Sequence, residues 1–227
     1  MAAAQVSPVP RQIPPDYQGQ ADPEKRPDNQ FTEMAMVIIK QASFQCAVCG
    51  YKDFMANNRP RGMMSIHPLD GNREDRTAPN WICVCPICKD LLEPGYGADH
   101  ERGEFVFSSL VSQVELVSLT RHALMTINNN GMYAKVARSF YDELRSALWR
   151  TTRSYFPGSY DGKPQTLHKL LSFDPFIDAL NEGDVTFENI RYLPLIGGYP
   201  EAMDHWTNTR FGEIPENHWQ SYRRHVA

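Results

Sequence analysis

The sequence predicts an α+β fold, in which a small cysteine-knuckle core of ββα order is followed by a helical C-terminal region. Three observations predict it. Two C-x2-C pairs, Cys46/Cys49 and Cys85/Cys88, stand 35 residues apart. Two short strand-like runs lie between them, "GMMSIHPL" and "NWICV", separated by the polar "GNREDRTAPN". Beyond residue 110 the apolar residues recur at helical spacing instead. The chain has 227 residues, of which 41% are hydrophobic, enough to build one large domain or two small ones.

Residues 1–30 are rich in Pro, Gln and Asp and nearly free of large apolar side chains. Such a segment buries too little to offset its ordering entropy, so it is expected to be a disordered Pro-rich tail. It has no apolar h-region or basic n-region and is not expected to be a signal peptide. Residues 31–44, "FTEMAMVIIKQASF", form a helix-compatible run leading into the first cysteine pair. After Cys85, "PICKDLL" opens a short helix with Pro86 in its first turn. "EPGYGADHERGE" reads as a Gly-rich loop. "SQVE" then puts Ser112 and Glu115 at capping-box spacing, with Val114, Val117, Leu124 and Ile127 behind them as a helical stripe.

"NNNG" marks a turn at residues 128–131, and a long helix is expected over 132–155. Val136, Phe140, Leu144 and Leu148 line one face of it, and Pro157 and Gly158 end it. "TLHKLLSFDPFIDALNEG" reads as one or two short helices broken before Pro175. "FENIRYLPL" reads as a partly buried connector. Trp206 and Trp219 stand among polar residues; core packing is the first expectation for them, interface anchoring the second. The domain boundaries expected are 1–30, 31–100 for the knuckle module and 101–227 for the helical region packed on it.

The cysteines carry most of the functional signal. The chain has five, an odd count, and no stretch of 18 or more apolar residues. The expectation is a cytoplasmic chain, where thiols stay reduced and paired cysteines serve as metal ligands rather than disulfides. Two matched C-x2-C knuckles supply four thiolates for a tetrahedral structural Zn2+ site, with Cys46, Cys49, Cys85 and Cys88 as ligands. In "CVCPIC", Cys83 could stand in for Cys85. However, C-V-C is a strand-like spacing and C-P-I-C has the knuckle spacing, so Cys83 is taken as a small buried residue. A redox C-x-x-C lacks its usual flanking pattern here. The formal net charge of −4 shows no basic balance, which counts against a standalone nucleic-acid binder.

Taken together, "IIKQASFQCAVCG", "IHPLDGN" and "NWICVCPIC" resemble the zinc-knuckle HNH nuclease module, over about residues 35–95. An Asn stands five residues before the second pair, as Asn80 stands before Cys85. A longer resemblance, over roughly residues 35–200, adds "GYG", the capped helix and "NIRYLP". It points to the IcmJ/DotN component of Dot/Icm type IV secretion systems. The resemblance implies an HNH-like zinc fold without nuclease function. It also implies a subunit of the type IV coupling complex, joined to a DotL-like coupling ATPase and to other subunits of that complex. Such a protein would be cytoplasmic and peripherally associated with the inner membrane through those partners. No nucleic acid and no direct membrane insertion are expected.

The alternative is a metal-dependent HNH endonuclease with His67 as general base. His67 in "IHPLDG" stands where the module's base could stand. The position after the second pair, usually a metal-holding His, is Lys89, which offers no ligand when protonated. His100 lies in the Gly-rich loop at no diagnostic spacing. Asp70 and Asn72 are equally explained by the turn of "LDGN", and Asn80 by loop bracing. The remaining histidines, at 122, 168, 205, 218 and 225, form no metal spacing with one another.

Overall fold

A computed structural model describes residues 29–55, 60–93, 101–156, 158, 160–163, 166–167 and 189–210. The expectations for residues 1–28, for His100, His168, His218, His225 and Trp219, and for most of the "TLHKLL…" segment lie outside the described residues.

Among the described residues the chain is mixed α and β, with helices around two small antiparallel sheets. Helix α1 (Asn29–Gln41) buries Ala35, Ile38 and Ile39 and ends in a turn with Ser43 and Phe44 in the left-handed region. The first knuckle follows. Strands β1 (Ser65–Pro68) and β2 (Trp81–Val84) pair antiparallel, with Ser65 opposite Val84 and Pro68 opposite Trp81. Between them Asn80, at the end of a short 3-10 turn (Ala78–Asn80), braces the loop. Its side-chain amide donates to Asp70 Oδ1 at 2.8 Å, and Asp70 and Asn72 cap their own turns. The loop-bracing reading of these three residues is therefore the one observed. Cys85 is the N-cap of α2 (Pro86–Leu92), with Pro86 in the first turn as expected.

The C-terminal half differs from the expectation of a helical region. Strand β3 (Gly103–Phe107) begins inside the stretch read as a Gly-rich loop, and β4 (Ile190–Pro194) is the "IRYLP" read as a connector. The two pair antiparallel from Gly103/Pro194 to Phe107/Ile190. All five residues of β4 are buried, so the strand lacks the polar–apolar alternation by which a half-exposed strand is recognised. Gly103 is required there: a Cβ at that position would run into the Tyr192 ring.

Helix α3 (Gln113–Asn129) starts at the expected capping box. The Glu115 N–H donates to Ser112 Oγ at 3.2 Å and the Ser112 N–H to Glu115 Oε2 at 2.9 Å. Asn130 ends it in the left-handed conformation. Helix α4 (Ala134–Tyr155) buries Phe140, Leu144 and Leu148 as expected, with Val136 partly covered. Helix α5 (Pro200–Arg210) buries Trp206 completely, in line with core packing. Buried residues from Ala35 to Trp206 form one hydrophobic cluster.

Candidate metal centre

The first knuckle is a hairpin turn. An isolated bridge joins Gln45 to Lys52, the Cys46 N–H donates to Tyr51 O at 2.8 Å, and the Gly50 N–H donates to Cys46 O at 2.9 Å. Gly50 has φ +71, a conformation that glycine adopts without strain. The second knuckle is the start of α2: Cys85 is its N-cap and Cys88 follows in the first turn. The Ala47 N–H donates to Cys83 O at 2.8 Å, tying the first knuckle to β2.

These contacts bring four sulfur atoms together. The Sγ atoms of Cys46, Cys49, Cys85 and Cys88 all lie within 4.8 Å of one another. Cys46, Cys85 and Cys88 are buried, and Cys49 is partly exposed. Zinc in a tetrahedral thiolate site has Zn–S bonds of about 2.3 Å, which place sulfurs about 3.8 Å apart. Cys49 and Cys85 are separated by 3.8 Å. The donor set therefore suits a four-coordinate divalent ion. Cys83, on β2 opposite Ile66, lies outside the cluster, and burial pushes its thiol up to about 12.

Electrostatics favour a cation among these sulfurs. Hydrogen bonds from Cys46, Cys85 and Cys88, and then the Arg121 charge, hold the Cys49 thiol far below its ordinary range. Cys46 is lowered to about 7: its hydrogen bond with Cys49 opposes ionisation, but those with Cys85 and Cys88 outweigh it. Burial, with further hydrogen bonds from Cys46 and Cys49, raises Cys85. Hydrogen bonds to Cys46, Cys49 and Cys85, and then burial, raise Cys88. Four packed sulfurs, three of them buried, cannot all carry charge unaided; a bound dication would let all four ionise.

Arg121, on α3, was not singled out in the sequence. It is buried, and its Nη2 donates to Cys49 Sγ at 3.0 Å and to Cys85 Sγ at 3.5 Å. Its guanidinium carbon stands 4.0 Å from the Tyr51 ring centroid and 5.3 Å from that of Trp206. Burial disfavours its charge, but Cys85 and Cys49 more than offset that and raise its pKa. The signal was present: Arg121 stands between Val117 and Leu124 at i+4 and i+7, a charge inside an apolar stripe.

His67 is not a member of the sulfur cluster. Its Nδ1 lies 3.0 Å from Glu93 Oε1, and Glu93 Oε2 accepts from Arg73 Nη2 at 2.7 Å. Lys89 contributes its backbone, donating its N–H to Cys85 O at 2.9 Å. His122 has its pKa lowered by burial and then by Arg121. His205, on α5, is buried against Asp53 at 3.2 Å and Phe54 O at 3.1 Å. Among the described residues no helix is long and apolar enough to cross a membrane. No protein-family model matches the chain, and no curated protein matches it either.

Proposed function

We propose that this chain is a zinc-stabilised structural adaptor of a type IV secretion coupling complex, without nuclease activity. In this reading β1, β2 and α2 are the ββα core of an HNH-like zinc fold. Zn2+ sits among Cys46, Cys49, Cys85 and Cys88, and a DotL-like coupling ATPase is the principal partner. The observation that carries the structural role is the largely buried four-sulfur cluster, whose four donors from two separate knuckles would fill the coordination of a tetrahedral ion. Closed four-ligand sites stabilise folds, whereas catalytic ones keep a position open. The partner assignment rests on the sequence resemblance to the IcmJ/DotN component.

The second carboxylate contact of Glu93 bears on the enzyme alternative. His67 Nδ1 faces Glu93, whose other oxygen is held by Arg73. Both oxygens of the Glu93 carboxylate are thus engaged by protein side chains, which supports the non-enzymatic reading. Lys89 in place of a histidine supports it further.

Three measurements test the proposal. Elemental analysis of purified protein should give one zinc per chain; well-folded protein with no metal would overturn the zinc assignment. Incubation with plasmid DNA and Mg2+ or Mn2+ should give no cleavage, and nicking that disappears in His67→Ala would establish the endonuclease instead. In cells the protein should fractionate with the inner membrane only while the coupling ATPase keeps its C-terminal extension. Unchanged membrane association after that extension is deleted would remove the adaptor reading.

A further inference from the structure

We infer that Arg121 is a positioning residue of the metal centre, and that its contacts couple the four-sulfur cluster to helix α5 at Trp206. This rests on the reading of the four cysteines as metal ligands. It goes further in assigning a role to a residue outside the ligand set.

The chain of contacts is continuous. Arg121 projects from α3, donates to Cys49 of the first knuckle and to Cys85 of the second, and stacks on two rings. One ring, Tyr51, lies two residues after Cys49; the other, Trp206, is the most deeply buried side chain of α5. The rings also meet each other edge-on, with centroids 5.0 Å apart and planes at 61°. One guanidinium thus joins both knuckles, α3 and α5.

Charge gives the arrangement its direction. A buried guanidinium needs a compensating anion. Arg121 is buried, its Nε finds no hydrogen-bond partner among the described residues, and the acceptors of its Nη2 are two sulfurs. Four thiolates around a divalent ion carry a net charge of −2, and Arg121 halves it. A loaded centre therefore fixes the guanidinium in the aromatic cage, and the guanidinium in turn stabilises the thiolates. Residues just outside a ligand set commonly change metal affinity by about 10–100-fold when removed. Arginine suits the role because its planar group can donate to sulfur from an edge while its faces lie on the rings.

The test uses the full chain and Co2+ as a spectroscopic stand-in for the metal. Wild type, Arg121→Gln, Arg121→Lys and Trp206→Phe are titrated with Co2+ and then challenged with a chromophoric chelator. The Gln variant is expected to bind Co2+ about 10–100-fold more weakly, with shifted thiolate-to-cobalt charge-transfer bands. The Lys variant, which keeps the charge, should recover part of the affinity. Stripping the metal from wild type should change tryptophan emission, and Trp206→Phe should abolish most of that change. A wild-type chain that binds no metal overturns the metal reading and this inference with it. A wild-type chain that binds metal, with the Gln variant matching it in affinity and spectrum, overturns this inference alone. Should the Gln variant not fold, wild type and Trp206→Phe decide: identical emission changes on metal removal overturn the inference, and loss of the change in Trp206→Phe supports it.

Discussion

Cys83 and Cys85 stand two residues apart, yet only Cys85 joins the sulfur cluster. Cys83 is held on β2 opposite Ile66, while the chain turns at Cys85 to begin α2. Cys83→Ser should therefore keep its metal and lose about 1–3 kcal/mol for the buried hydroxyl. Cys85→Ser should lose the metal and yield little soluble protein. Metal content after purification checks both, and equal metal loss in the two variants would refute the ligand assignment. Glu93 gives a second prediction at this scale. Burial alone would raise its carboxyl above the ordinary value of 4.5. The hydrogen bond with His67 and the charges of Lys89 and Arg73 outweigh burial and lower it. A lowered folded value means the stabilisation is complete above the unfolded value and is lost as pH falls through the folded one. Arg73 is largely exposed, so its share is small. Glu93→Gln should thus cost about 1–2 kcal/mol near neutrality, and the gap to wild type should close progressively as pH falls below 4.5. Denaturation curves of both proteins across that range measure the gap directly; a constant gap would assign the loss to packing instead.

At the scale of elements, side chains do work that backbone ladders would otherwise do. Gln113, in the first turn of α3, donates to Tyr192 O at 2.9 Å and accepts from Tyr192 N at 2.7 Å, satisfying the outer edge of β4 as a strand would. Thr152, inside α4, accepts from the Phe107 N–H at 2.9 Å and donates to Leu148 O at 2.7 Å, docking the helix on β3. Thr152→Val keeps the shape and strands a buried N–H, so it should cost about 1–3 kcal/mol in a urea titration. A loss within error of zero would mean that water replaces the hydroxyl. Elements written in local chemistry were legible in the sequence: the Ser112/Glu115 capping box, Pro86 opening α2, and the Phe140–Leu144–Leu148 face of α4. The β3–β4 sheet was not. Its strands pair Gly103 with Pro194 across a long stretch of sequence, and fully buried β4 carries no alternation to announce it. The clustering of Cys46, Cys49, Cys85 and Cys88 was legible because knuckle spacing is itself the signal. Arg121 showed only as a charge inside an apolar stripe, and its meeting with Tyr51 and Trp206 was not legible, because it depends on how α3 and α5 pack around the knuckles.

For the whole molecule, the hydrophobic core runs across residue 100. Buried residues on both sides belong to one cluster, and polar contacts cross between them. The Tyr199 hydroxyl donates to Asp90 Oδ2 at 2.8 Å, linking the segment before α5 to α2. His205 meets Asp53 after the first knuckle, and Arg121 meets the sulfurs themselves. A unit held together in this way is expected to unfold cooperatively, so energy supplied at the metal centre should protect distant strands as well. Structural zinc contributes about 10–16 kcal/mol of apparent binding energy in small finger peptides, and a comparable ligand binding only the folded chain raises its stability by mass action. Amide hydrogen exchange with and without a chelator tests this. The Cys46 N–H in the knuckle and the Tyr192 N–H in β4 should lose protection together when metal is withdrawn, although one lies in the centre and the other in the remote sheet. If Cys46 becomes exposed while Tyr192 keeps its protection, the sheet of β3 and β4 is an independently stable body, and the metal holds only the knuckle module.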